Sequence, residues 1–272
     1  MARALTTLLL LATALPALAG EPRVALIIDD IGTDRAAAER TLALPVPLTL
    51  AILPHTPHAR ATAEAAPAAG KEVMLHQPMQ AERPGPVGRG ALWLDTTEGE
   101  LHATLARNLE AVPNARGLNN HMGSLITRHP GHMAWLMEAL AGHGDLYFVD
   151  SRTTHHTVAR QIAGEHGRPF VERDVFLDHD ADPAAIERQL ARLVAEARRE
   201  GQAVGIGHPR PNTLAVLERR LPALAREGIR FVRVSELIPE PEVEETPNEE
   251  IVQWSLPSSP SLPAARSLKP SP

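Results

Sequence analysis

Acids and imidazoles recur where apolar runs end. Val24–Ile28 stops at Asp29 and Asp30, Val73–Leu75 delivers His76, and Gly117-Leu-Asn-Asn leads to His121. Asp150 and Arg152 follow Leu146–Val149, Asp178 follows Val175–Leu177, and His208 follows Ala203–Ile206. In α/β folds ligands bind at the carboxyl ends of buried strands. Two adjacent carboxylates there repel each other and face desolvation unless a cation relieves them. The functional expectation is therefore that one aspartate ligates a metal and the other accepts a proton. The bland competitor is that Asp30 caps a turn before the helix near Thr33.

The chain contains no cysteine, which excludes disulfides, thiolate ligands and thiol chemistry. Asp30, His76 and His121 would then form an Asp-His-His set with one open position, the pattern of a catalytic zinc site. Thirteen histidines are present, so some reach strand ends by chance. His102, His132, His143 and His166 fall on helices or loops and read as surface residues. His55 and His58 are flanked by Pro54 and Pro57, which argues for a loop rather than a rigid site. Paired-carboxylate glycoside hydrolysis fits poorly, because adjacent residues on one strand point to opposite faces.

These residues need a scaffold, and the pattern alternates strand and helix. Predicted strands are Arg23–Ile28, Leu48–Leu53, Lys71–Leu75, Ala115–Asn119, Asp145–Val149, an irregular region Phe170–Leu177, Gln202–Ile206 and Arg230–Val234. Helices are predicted at Thr33–Leu42, Pro57–Ala69, Thr97–Ala111, Pro130–Ala141, Thr154–Glu165, Asp182–Glu200 and Thr213–Arg226. Local signals support several of them. Gly70 suits a helix C-terminus, Thr97 and Glu100 are spaced as a capping box, and Asp182-Pro183 reads as N-cap and first helical residue. Gln77–Asp95 reads as a long Pro- and Gly-rich loop. Seven or eight βα units suit a barrel.

The chain has 272 residues with net charge −6 and only 3% aromatics, and its basic residues are spread. That argues against a nucleic-acid groove. Residues 1–19 read as an export signal: Arg3, an apolar stretch Leu5–Leu15, and Ala17-Leu18-Ala19 before the cut. The stretch is short for a membrane span, so the mature protein is expected in the periplasm or cell exterior and not integral to the membrane. Residues 20–238 read as the folded domain, and 239–272, rich in Pro, Ser and Glu, as a disordered tail.

Ile27-Ile28-Asp29-Asp30 with Gly32, followed by Gly70-Lys-Glu-Val-Met-Leu-His76-Gln-Pro-Met79, resembles the opening of the NodB-like carbohydrate esterase deacetylases. With Gly117–Ser124, Phe148–Arg152, Phe176–Asp178 and Gly205–Pro209 added, the set is more similar to the divergent polysaccharide deacetylases (YibQ type), over Arg23–Ile238. The resemblance implies a distorted (β/α) barrel of seven or eight parallel strands. It also implies removal of N- or O-acetyl groups from a cell-envelope polysaccharide, such as a peptidoglycan-type glycan, using one divalent metal ion, with zinc expected.

By the same resemblance, Asp29 matches the general base, Asp30 the metal-binding aspartate, His76 the first metal histidine and His208 the acid. His121 and Asp150 match positions of the divergent branch. Ordinary members carry a second metal histidine four residues after the first; here that position is Gln80, so His121 is expected to substitute. Arg152 is expected to steer Asp29 or bind substrate, and Asp150 or Asp178 to set the His208 tautomer. Asn120 and Ser124 are expected in the cleft. The rival expectation keeps the barrel without turnover: a periplasmic envelope factor binding glycan or protein, with the Pro-rich tail as a tether to an envelope partner.

Overall fold

The computed structural model describes residues 20–238; the expected leader and tail lie outside the described residues. The apolar run after Arg23 forms β1 (Arg23–Ile31), flanked on both sides by parallel partners: β8 (Gln202–Gly207) on one edge, and on the other β9 (Arg230–Val232) followed by β2 (Thr49–Ile52). From β2 the sheet continues through β3 (Glu72–Met79), β4 (Ala115–Met122), β5 (Tyr147–Asp150) and β6 (Phe170–Glu172). Beyond β8 it ends at β7 (Val175–Phe176), and all pairings are parallel. The result is a curled, parallel-stranded barrel of the expected class, with seven α-helices among the described residues joining the strands.

The two edge strands are neighbours in sequence. Arg173 donates its amide to Asp150 beside one edge, and Asp174 donates its amide to Val204 beside the other. Those two residues therefore step across the open seam of the barrel.

Helices form where the local signals place them. α1 (Arg35–Leu42) is capped by Asp34, α3 (Glu98–Ala111) by the Thr97/Glu100 box, and α6 (Pro183–Glu200) by Asp182 with Pro183 at its first position. α4 (Pro130–Ala141) matches its predicted span, and α7 (Pro211–Arg226) begins two residues earlier than predicted. α2 (Ala59–Ala65) and α5 (Ala159–Glu165) are shorter than expected; Gly70 takes the left-handed φ of 71° after a 3-10 turn that follows α2.

Period-two alternation divides the core into two layers. Val24, Leu26, Ile28, Leu48, Leu50, Val73 and Leu75 face the helices, while Ala25, Ile27, Ala51, Met74, Tyr147, Val149, Val204 and Ile206 fill the barrel. At the amino ends of the strands the interior closes on a polar knot. Glu72 Oε1 accepts from Tyr147 Oη at 2.8 Å, Thr49 Oγ1 at 3.0 Å and the Ser235 amide at 3.2 Å. Tyr147 fits there because residue 117 is glycine; a Cβ would come within 2.4 Å of the tyrosine ring.

β3 and β4 run beyond their predicted ends. Their pairing continues through His76–Asn119, Gln77–Asn120, Pro78–His121 and Met79–Met122. The first part of the expected 77–95 loop is therefore strand, and its polar residues belong to the sheet. The rest of that loop is pinned at its base: Gln77 Nε2 and Asn108 Nδ2 both donate to the Gly90 carbonyl, at 2.9 and 2.8 Å.

Candidate active site and metal centre

Interior parity carries straight from the core to the mouth. Ala25 and Ile27 are followed by Asp29, Met74 by His76, Gly117 by Asn119 and His121, Tyr147 and Val149 by Ser151, and Val204 and Ile206 by His208. The apolar barrel filling thus gives way at one level to polar side chains.

Asp30 is the exception to the parity, and the backbone explains it. Between Ile28 and Ile31 the register with β2 slips by one residue, and Asp30 adopts φ 58°. An extra residue in the strand with a left-handed φ turns its side chain back toward the mouth. Both acids consequently face the cleft, Asp29 buried and the Asp30 side chain 37% exposed. Gly32, at φ 120°, completes the turn in a space where a Cβ would meet Thr56 Oγ1 at 2.2 Å.

Asp30 Oδ1, His76 Nε2 and His121 Nδ1 form a near-equilateral triangle with sides of 3.1, 3.0 and 3.1 Å. His76 Nδ1 lies 2.7 Å from Asn119 Oδ1, while Asn119 Nδ2 donates to Asp29 Oδ1 at 2.8 Å and to Ser151 Oγ at 3.2 Å. That amide orientation makes His76 Nδ1 the N–H donor and leaves Nε2 of the neutral ring with a lone pair facing the triangle. Asp30 Oδ1 is buried without a conventional donor. Tetrahedral ligands at about 2.0–2.1 Å from zinc lie roughly 3.3 Å apart. The three atoms, one oxygen and two nitrogens, therefore fit a divalent ion. A second grouping, Glu98, His102 and Glu138, lies on the outer faces of α3 and α4 with both glutamates exposed.

Charge compensation in the protein alone shows how unusual the centre is. Burial penalises the His76 imidazolium, but Asp29 and Asp30 outweigh it and raise the pKa to about 9. For Asp30 burial is outweighed by the two histidines, which hold its carboxyl far below the usual range. Burial dominates at Asp29 and pushes its pKa up, with His76 and His208 opposing.

His208 stands across the cleft, its Nε2 3.7 Å from Asp30 Oδ2. Its Nδ1 lies 2.9 Å from Asp178 Oδ1, and Asp178 Oδ2 accepts from the His208 amide and Thr213 Oγ1, both at 2.8 Å. Asp178, not Asp150, orients this ring. Burial opposes the imidazolium of His208, yet Asp178 and the two cleft aspartates raise its pKa overall.

The remaining expected residues divide. Asn120 lines the cleft, but its side chain serves the backbone, accepting from the Ser151 amide and donating to the Met122 carbonyl. Asp150 has the same off-phase parity: it is buried, accepts from the Arg152 amide, and has its pKa raised by burial. Ser124 is a correction. Its hydroxyl accepts from the Glu82 amide and lines a neighbouring groove, not the cleft. Arg152 lines the cleft, but its guanidinium pairs with Glu172 at 2.8 Å. The arginine that feels the charge of Asp29 is Arg173. Gln80 faces away, its Oε1 accepting from the Leu94 amide at 2.8 Å.

Sequence reasoning missed Asn119, Ser151 and Arg173. Parity would have found the first two, since both continue interior positions. Arg173 carries no such signal, because it sits on the step between sheet edges.

A family model for divergent polysaccharide deacetylases matches residues 26–238. An uncharacterized Escherichia coli K12 protein, YibQ, is 37% identical over 235 residues, covering 86% of this chain and 72% of that protein. An uncharacterized Haemophilus influenzae protein is 36% identical over 217 residues, covering 80% of this chain and 77% of that one. The crystal structure of an uncharacterized Agrobacterium tumefaciens protein superposes with TM-score 0.76 at 24% identity, covering 81% of this chain and 91% of that chain. Since the family match takes in every residue of the mouth described above, this chain belongs to the divergent polysaccharide deacetylase family.

Proposed function

We propose that this protein is a metal-dependent hydrolase that removes acetyl groups from a cell-envelope polysaccharide, with zinc as its ion. The observation that carries the reading is the triangle of Asp30, His76 and His121 beside Asp29, a carboxylate outside the triangle. An ion bound there supplies Lewis acidity, acidifying water and polarising an acetyl carbonyl.

The residues around the triangle supply proton handling. Asp29 Oδ1 is occupied by Asn119, so Oδ2 is the atom that accepts a proton. Its raised pKa makes it a stronger base than an ordinary carboxylate. His208, its Nδ1 held by Asp178, presents Nε2 to the cleft. Its raised pKa favours the imidazolium, the form that protonates the departing amine or alkoxide. The cleft holds about 420 Å³, in the range of small-ligand sites. The leader-like composition of residues 1–19 supports the periplasm or cell exterior as the site of this activity.

The test uses purified protein loaded with Zn2+, acetylated oligosaccharides and a chromogenic acetyl ester. Acetate release is expected to fall roughly 10²–10⁴-fold in Asp29→Asn, with metal content retained. Release no greater than that of Asp29→Asn, across several metals and substrates, refutes the enzymatic reading. A glycan-binding envelope factor is then what remains.

A further inference from the structure

Arg173 has an electrostatic position the proposed reaction leaves unused. Its Nε donates to the Ser151 carbonyl at 2.7 Å and its Nη2 to the Arg152 carbonyl at 3.0 Å, and its guanidinium lies 5.1 Å from the centroid of the Phe176 ring. Burial disfavours its charge, and Asp150, Asp29 and Asp174 compensate only at a distance. Buried charges are normally paired. Among the described residues Arg173 forms no ion pair, and its Nη1 makes none of the hydrogen bonds given above.

The side chain also sits on a boundary. Arg173 and Phe176 line both the cleft and an adjoining hollow of about 590 Å³, which continues past Arg192 on the exposed face of α6. The charges along this arm do not cancel locally. Arg152 is neutralised by Glu172, and Glu196 is paired with Arg199. Asp174 spends one carboxylate oxygen on the Val204 amide. Arg173 and Arg192 remain as two guanidinium groups against the single Asp174 carboxylate, a net positive charge on the path leading out from the triangle.

Resting on the deacetylase reading, we propose that this arm receives an oxyanion carried by the saccharide, so the substrate is an acidic glycan rather than a neutral one. Guanidinium groups match carboxylate and phosphate in a two-pronged geometry that a hydroxyl cannot replace. Arg173, half-buried and partly desolvated, is the anchor. Arg192 is the outer contact that draws the anion in.

The experiment measures binding, so it does not depend on acetate release. The full-length Asp29→Asn protein, loaded with Zn2+, is titrated with three N-acetylated tetrasaccharides of equal length: neutral, uronate-bearing and phosphate-bearing. One of the acidic probes is expected to bind at least tenfold tighter than the neutral one at low salt, and which one identifies the oxyanion. Arg192→Glu, on an exposed helix face, is expected to cut that preference several-fold without changing affinity for the neutral probe. Arg173→Gln is expected to remove it. Equal binding of all three probes overturns the proposal. So does a preference that survives Arg192→Glu and, where that variant folds, Arg173→Gln. An acidic preference in a protein that releases no acetate separates failure of the reaction from failure of the binding site.

Discussion

The barrel interior holds a carboxylate with a buried oxygen at each end, and the two are treated in opposite ways. At the floor, Glu72 Oε1 accepts from a tyrosine hydroxyl, a threonine hydroxyl and a backbone amide, so the protein itself satisfies it. At the mouth, Asp30 Oδ1 is buried against two imidazole nitrogens, one of which has its other nitrogen committed to Asn119 as a donor. A satisfied buried acid joins strands together. An acid set against imidazole nitrogens that can exchange a proton for a cation reserves its charge for a ligand. The same fold thus uses one residue class as mortar below and as a receptor above.

The contrast breaks most visibly at Asn119. Asn119→Ala frees the His76 tautomer and removes a donor from Asp29, so a loss of roughly 10–100-fold in Zn2+ affinity is expected from its role behind the ligand. Competition against a chelating dye measures it, and unchanged affinity would show that the triangle orients itself. At the floor, Tyr147→Phe removes one hydroxyl donor from Glu72. A loss of about 1.5–3 kcal/mol in unfolding free energy is expected, read from urea midpoints, with acetate release per folded molecule unchanged.

Acidity sharpens the comparison next. In metal-free protein the His76 pKa of about 9 lies above its unfolded value near 6.5. The stabilisation it represents is full below about pH 6.5 and is lost as pH rises through about 9. Chelated protein is therefore expected to lose stability across that window. Zn2+ affinity should rise over the same range, because the ion must displace the His76 proton. A flat stability profile with chelator present would contradict this. The smallest effect concerns residue 80. Gln80→His is expected to leave Zn2+ stoichiometry and affinity unchanged, since this side chain points to Leu94 and away from the triangle. Tighter binding would show that the loop can refold around the metal.

Much of this was legible from residue order. Apolar runs, caps and prolines foretold the parallel strands and most helices, because burial and capping act locally. Acids and histidines at strand ends foretold the triangle members. What went unread was phase. Asn120 was expected in the cleft, which it lines, and Asp150 beside it, but the neighbouring Asn119 and Ser151, which continue the interior alternation, were passed over. A strand that continues through polar residues keeps its alternation, and the interior positions were already marked by Gly117 and Val149. The convergence of Asp29 and Asp30 on one side was hidden for another reason. It depends on a register slip and a positive φ that neither composition nor spacing reveals. Arg173 was invisible because the irregular Phe170–Leu177 region is two strands on opposite edges.

The step made by Arg173 and Asp174 also sets a mechanical limit. Three Cα–Cα links of about 3.8 Å each separate Glu172 from Val175, so at that level the sheet's two margins cannot part by more than about 11 Å. The seam behaves as a clasp of fixed length. Under the proposed reading, a glycan reaches the triangle from above the rim rather than through the wall at this step.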